Sequence, residues 1–118
     1  NRADIWNLLS RAYLLDGQIA NADIAALEAV RLEPLSVAYT LDYLRVAQKS
    51  KLPNALLSQL EIAYSRFPEN AEIILSLARA HERISGQNVT ARNLYLRFIE
   101  IAPKHPLTAE AEAAVTRL

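Results

Sequence analysis

At 118 residues the chain is long enough to bury the core of one ordinary domain, and its 52% hydrophobic and 22% charged content marks it as folded, not disordered. Thirteen basic residues balance thirteen acidic ones, which excludes the strong positive field of a typical nucleic-acid binder, and no run approaches the ~18 apolar residues of a membrane-inserted helix. The absence of cysteine excludes disulfides, thiolate metal sites and a cysteine nucleophile, while two glycines leave no Gly-rich phosphate loop.

Apolar residues recur at spacings of three and four almost throughout, which predicts helices and no strand. A first helix over about residues 3–16 is closed by Gly17, and a second over 21–32 has Asn21 as its N-cap. The third, 35–50, follows Pro34. The fourth, 53–66, opens at Pro53. Asn70 caps a fifth helix over 70–85, after which Gly86 and Asn88 turn the chain into a sixth over 89–102. Pro106 opens a seventh over 106–117. A start at Asn1 and the lack of any methionine point to a fragment of a larger protein.

These helices repeat. Pro34 and Pro68 lie 34 residues apart, with Ala29 matched by Ala63, and a third segment ends at Pro103, one residue late. That period is the length of a helix–turn–helix unit, and the extra residue falls near Gly86. The first unit carries Trp6, Leu9, Ser10, Tyr13, Gly17, Ala22, Ala26, Ala29 and Pro34. This pattern resembles the tetratricopeptide repeat (TPR) signature, with Ala26 where an aromatic residue is usual. The second unit is degenerate, with Thr40, Tyr43, Leu44, Ala47, Lys51, Leu56, Leu60, Ala63 and Pro68 in the equivalent places. The third has Ile74, Leu77, Ala78 and His81, then Ala91, Tyr95, Phe98 and Pro103.

The resemblance covers about residues 1–103. It implies an all-α fold, a right-handed α-solenoid of three repeats at about 3–34, 35–68 and 69–103, with the whole chain as one domain. Small residues such as Ser10, Ala22 and Ala29 let helices approach, while Trp6, Leu9 and Tyr13 fill the space between them. In the seventh helix Glu112 replaces a core leucine. This favours a cap with a wetted outer face over the truncated start of a fourth repeat.

Solenoids of this kind are similar in shape to a curved groove lined by the first helix of each pair. Arg11 lies roughly 150° from the Trp6–Leu9–Ser10–Tyr13 seam and is expected to face the groove. Its equivalents are Arg45 and Arg79, which makes a ladder that Lys49 and Arg83 extend one turn further. Asn7, Leu14, Leu15, Leu41 and Leu75 are expected on or beside the same stripe. Arginine with leucine suits a peptide carrying acidic and apolar residues. Asp4, Glu72 and Glu82 share the stripe, so a self-paired, solvated face is the competing reading.

Family members that bind the C-terminal carboxylates of chaperones use lysines, asparagines and an arginine. Here Asn7 and Arg11 stand where that pattern has lysine and asparagine, and Asp42 stands near an asparagine position. The clamp is not reproduced, and chaperone-tail binding is not expected. His81 is expected in the core, His105 at a helix cap, Tyr43 in the core and Tyr39 more open. Two distant histidines make no metal site, no paired carboxylates serve as acid and base, and Ser10 has no histidine partner. No catalytic residue, metal or cofactor is expected. The reading is a protein–protein interaction scaffold or adaptor that binds a peptide in its groove, with neither nucleic acid nor membrane insertion as partners. The alternative is a spacer or self-association segment of a longer array.

Overall fold

The computed structural model describes residues 2–118, apart from the side chain of Ser85. The described residues form seven α-helices and no strand: α1 (Ala3–Leu15), α2 (Ile19–Leu32), α3 (Val37–Ser50), α4 (Pro53–Arg66), α5 (Ala71–Ala80), α6 (Asn88–Ile101) and α7 (Thr108–Arg117). A π-helical turn, His81–Ser85, continues α5. The chain forms two compact units, one reaching to Leu56 and the other Leu57–Leu118, and the division falls inside α4.

In the first unit α1 and α2 approach closely because the residues between them are small. Ala22, Ala25, Ala26 and Ala29 are buried along α2, and Ala3, Asn7 and Ser10 along α1. The Ser10 hydroxyl donates to the Ala22 carbonyl at 3.1 Å, which ties the two helices at the contact. Of the large residues expected to fill the space between helices, Trp6 and Tyr13 are half-buried and Leu9 is exposed. At the far end of α3, Lys51 pairs with Asp23 of α2 at 3.0 Å.

The second unit has the larger side chains. Leu60, Ile73, Ile74, Tyr95 and Phe98 are almost wholly removed from water, and His81 is buried as expected. Phe98 meets the His105 ring edge-on, with centroids 5.1 Å apart. His105 also accepts the Leu107 N–H at 3.0 Å through Nδ1, one residue before α7, in keeping with a capping role. In α7 Thr108, Ala111 and Ala114 are buried while Glu112 is exposed.

Local chemistry sets the helix ends, and in three places it shifts them from the sequence expectation. Asn70 caps α5 by accepting the Ile73 N–H at 3.0 Å, and Pro53 is the first residue of α4. By contrast, α3 starts after Ser36, whose hydroxyl accepts the Tyr39 N–H, so Pro34 sits in the preceding turn. Likewise α2 begins at Ile19, ahead of Asn21, and Pro106 lies in the turn before α7.

The two glycines mark equivalent stops. Gly17 has φ 77° and closes α1 with Gly17 N–H to Leu14 carbonyl and Gln18 N–H to Tyr13 carbonyl bonds of 3.1 and 2.9 Å, a Schellman closure. Gly86 has φ 66°, and Gln87 N–H bonds to the His81 carbonyl at 3.1 Å. His81 is the equivalent of Tyr13, and Gln87 that of Gln18 with one residue added between. The residue that delays Pro103 is therefore held in the π-turn, which closes over five residues instead of four. A Cβ on Gly86 meets no atom within 4 Å, so only backbone conformation opposes a side chain there. Gly86→Ala is expected to cost about 1–2 kcal/mol through the left-handed φ alone. Urea unfolding checks it, with Gly86→Asn expected to recover part of the loss.

Candidate functional site

Of the arginines selected by the repeat, Arg11 and Arg45 are exposed and Arg79 is half-buried, and each meets a carboxylate of the chain itself. In the first unit Asp42 of α3 accepts Asn7 Nδ2 at 3.0 Å, Arg11 Nη2 at 3.0 Å and Arg45 Nη1 at 2.9 Å. Both arginine side chains remain largely open, 62% and 55% exposed, whereas that of Asp42 is 18% exposed. Burial pushes the Asp42 carboxyl up. The hydrogen bonds from Asn7 and Arg11, with the charges of Arg11 and Arg45, outweigh it and hold the group below the usual carboxylate range.

In the second unit Arg79 grips Glu110 of α7 through both Nε and Nη2, each at 2.7 Å. That fork lowers the Glu110 pKa against the opposing effect of burial, with help from the charges of Arg79, Arg83 and Arg117. Beside it Glu82 accepts the Tyr95 hydroxyl at 2.8 Å and also binds Arg117. The Tyr95 bond is the main reason the Glu82 carboxyl is lowered, ahead of Arg117. Burial first, and then Glu82, push the Tyr95 phenol up to about 12.

The remaining candidates divide by repeat position. Lys49 and Arg83 are exposed, Leu14 and Leu41 half-buried. Leu75 is a correction: at 3% exposure it belongs to the core and no ligand reaches it. Asn7 is buried too and acts through Asp42. Asn7, Leu41 and Leu75 share one repeat position, and that position faces inward. Tyr43 is buried and Tyr39 half-buried. Among the described residues no cluster of three potential metal ligands occurs, and no helix is long and apolar enough to cross a membrane.

By sequence the chain matches no protein-family profile and no curated protein. By structure it is similar to the TPR domain of Arabidopsis OM64, at 14% identity and TM-score 0.78, over 98% of this chain and 94% of that one. The first TPR of Spaghetti (RPAP3), solved with the HSP90 peptide SRMEEVD, aligns at 12% identity and TM-score 0.80, covering 98% and 91%. The Yersinia enterocolitica type III secretion chaperone SycD, solved with a peptide of the translocator YopD, aligns at 10% identity and TM-score 0.80, covering 97% and 89%. The fold is that of a TPR domain.

Within this TPR fold the pairing follows the repeat. Arg11 with Asp42 and Arg79 with Glu110 are the same contact, separated by 31 residues in each case and displaced by two periods. Asp42 and Glu110 are the acids that sequence reasoning missed as partners. Glu82, expected on the arginine stripe, instead serves Tyr95 and Arg117. The available signal was an acid 31 residues beyond the repeated arginine, which Ser76 breaks for Arg45.

These carboxylates make stability pH-dependent. Asp42, Glu82 and Glu110 titrate lower in the folded chain than in the unfolded one, so their contribution is full above the usual carboxylate range of about 4. It is lost as pH falls through their folded values. The urea midpoint is expected to hold from neutrality to mild acid and then drop, with a shallower drop in Glu82→Gln. Tyr95 acts at the other end: its protonated form is favoured in the fold, so stability falls between about pH 10 and 12, and Tyr95→Phe removes that part.

Proposed function

We propose that the chain is a protein-interaction module whose first-helix face of α1 and α3 takes a peptide segment carrying a carboxylate among apolar residues. One observation carries the reading: two exposed guanidinium groups, Arg11 and Arg45, converge on the single carboxylate of Asp42. Both guanidinium groups stay open to water, and the exposed Lys49 extends the basic face. Arginine presents five N–H donors, and Arg11 meets Asp42 through Nη2, so a second carboxylate has donors to meet there without displacing Asp42. Half-buried Leu14 supplies the apolar part. Two TPR domains of similar fold were solved with bound peptides, which supports the class of function and not the identity of the peptide.

The chain's own carboxylate also argues against the chaperone-tail ligand. Asn7, Arg11 and Asp42 occupy positions that resemble a carboxylate clamp, and here they close around Asp42 itself. In the second unit Arg79 is already matched one-to-one by Glu110, so Arg79 and Arg83 have a smaller part.

Asp42→Asn tests this reading because it drives stability and binding in opposite directions. Loss of the charged acceptor is expected to cost about 1–2 kcal/mol of stability. The same change removes an internal competitor, and affinity for peptides rich in Asp, Glu and Leu selected from a display library is expected to rise about tenfold. Calorimetric titration measures both chains. Unchanged affinity alongside the stability loss assigns the arginines to structure alone and removes the proposal.

A further inference from the structure

Arg79 stands at the repeat position of Arg11 and Arg45, yet its side chain is only 30% exposed where theirs are 62% and 55%. Its partner, Glu110, takes both Nε and Nη2 and belongs to α7. Glu110 lies two periods beyond Asp42, so α7 meets α5 at the positions by which α3 follows α1. What α7 brings to those positions is different. The buried Tyr43 and Val46 of α3 correspond to Ala111 and Ala114, which reduces two large apolar side chains to methyl groups. Thr108 is the other buried residue of α7.

Charge takes the place of that apolar area. Lys49 and Leu14 of the first unit correspond to Arg117 and Glu82, which form an ion pair, so α7 is fastened by one charge pair near each end. Burying a methyl group stabilises far less than burying a tyrosine or valine side chain, and exposed ion pairs add little and are screened by salt. An element held in this way opens before the core around it does. The same helix has the chemistry of the ligand assigned to Arg11 and Arg45. It lays a carboxylate, flanked in sequence by Leu107, Ala111 and Ala114, against the repeated arginine.

We propose that α7 is a detachable internal ligand covering a second acidic-peptide face, which Arg79 forms with Arg83 one turn further along. A partner segment of the same chemistry takes this face when α7 leaves it. Its affinity is lowered by the fraction of chains in which α7 is closed, so loosening α7 strengthens binding. The ligand class rests on the peptide reading given above, whereas the detachment of α7 stands without it.

Native-state hydrogen exchange of the 118-residue chain tests the detachment. Glu110→Gln plus Arg117→Gln is expected to speed exchange of the α7 amides about fivefold and leave those of α6 unchanged. Molar salt is expected to speed α7 in wild type and not in the double variant. Exchange of α7 in step with α6 in every chain would overturn the proposal. The second face is probed with a labelled synthetic peptide of residues 107–118, in chains carrying Arg45→Glu so that the first face is silent. Binding is expected to be about tenfold tighter when α7 is loosened by the same two substitutions, and to be lost on adding Arg79→Glu. No binding to any chain, equal binding with α7 loose or intact, or binding that survives Arg79→Glu each removes the second face. The exchange result does not depend on any peptide, so it separates failure of the detachment from failure of the peptide reading.

Discussion

Phe98→Ala is expected to destabilise the chain by about 3–5 kcal/mol, the range for emptying a fully enclosed aromatic site. Phe98 has no accessible surface, and its ring is the edge-on partner of His105 ahead of α7. Removing it leaves a cavity on α6 and also frees the turn that places α7, where Thr108 is bonded to the Ala102 carbonyl at 2.8 Å. Thermal unfolding should therefore move down by roughly 10 °C or more. Phe98→Leu keeps much of the volume and should cost about 1–2 kcal/mol. A similar loss for leucine and alanine would mean that the ring contact with His105, not volume, dominates.

Arg45→Glu is expected to abolish binding of acidic peptides, a loss of at least about a hundredfold from reversing one of two charges that face a carboxylate. The side chain is 55% exposed, so no core is disturbed, but the new carboxylate stands three residues from Asp42 on α3. A stability loss of up to about 1 kcal/mol from that repulsion accompanies the binding loss. Circular dichroism separates the two, since helicity is expected to stay constant. Arg45→Gln removes charge without adding repulsion and should keep stability while weakening binding about tenfold. If both variants bind as wild type does, the exposed arginines serve the fold and not a ligand.

The architecture was legible because its cause is periodic. The prolines, alanines and Gly17 each do a local job that recurs once per unit, and the arginines recur with them. What the arginines touch was not legible, since Asp42 and Glu110 meet them through the lateral spacing of helices one repeat apart. Asp42 drew notice as a departure from a family pattern, when its importance is to satisfy Asn7, Arg11 and Arg45 together. Leu75 failed for a related reason. Seen on its own helix it lies near Arg79, yet Asn7 at the same repeat position is a small polar residue, which concealed that the position faces inward. Leu9 failed in the opposite direction: its equivalents Tyr43 and Leu77 are buried, and α1 alone leaves this surface open.

The π-turn after α5 gives the repeat a tolerance in length. An added residue in an α-helix rotates everything beyond it by about 100°, which would turn a ligand-facing side chain into a buried one. Widening one turn confines that rotation to five residues, so Arg79 before it and Gly86 after it keep their phase with Arg11 and Gly17. The unit is therefore measured by its hydrogen-bonded endpoints, Tyr13 to Gln18 and His81 to Gln87, and not by a residue count. A gene encoding such repeats can gain a codon at this point without loss of register. The first-helix C-terminus is accordingly the place where related chains are expected to differ in length.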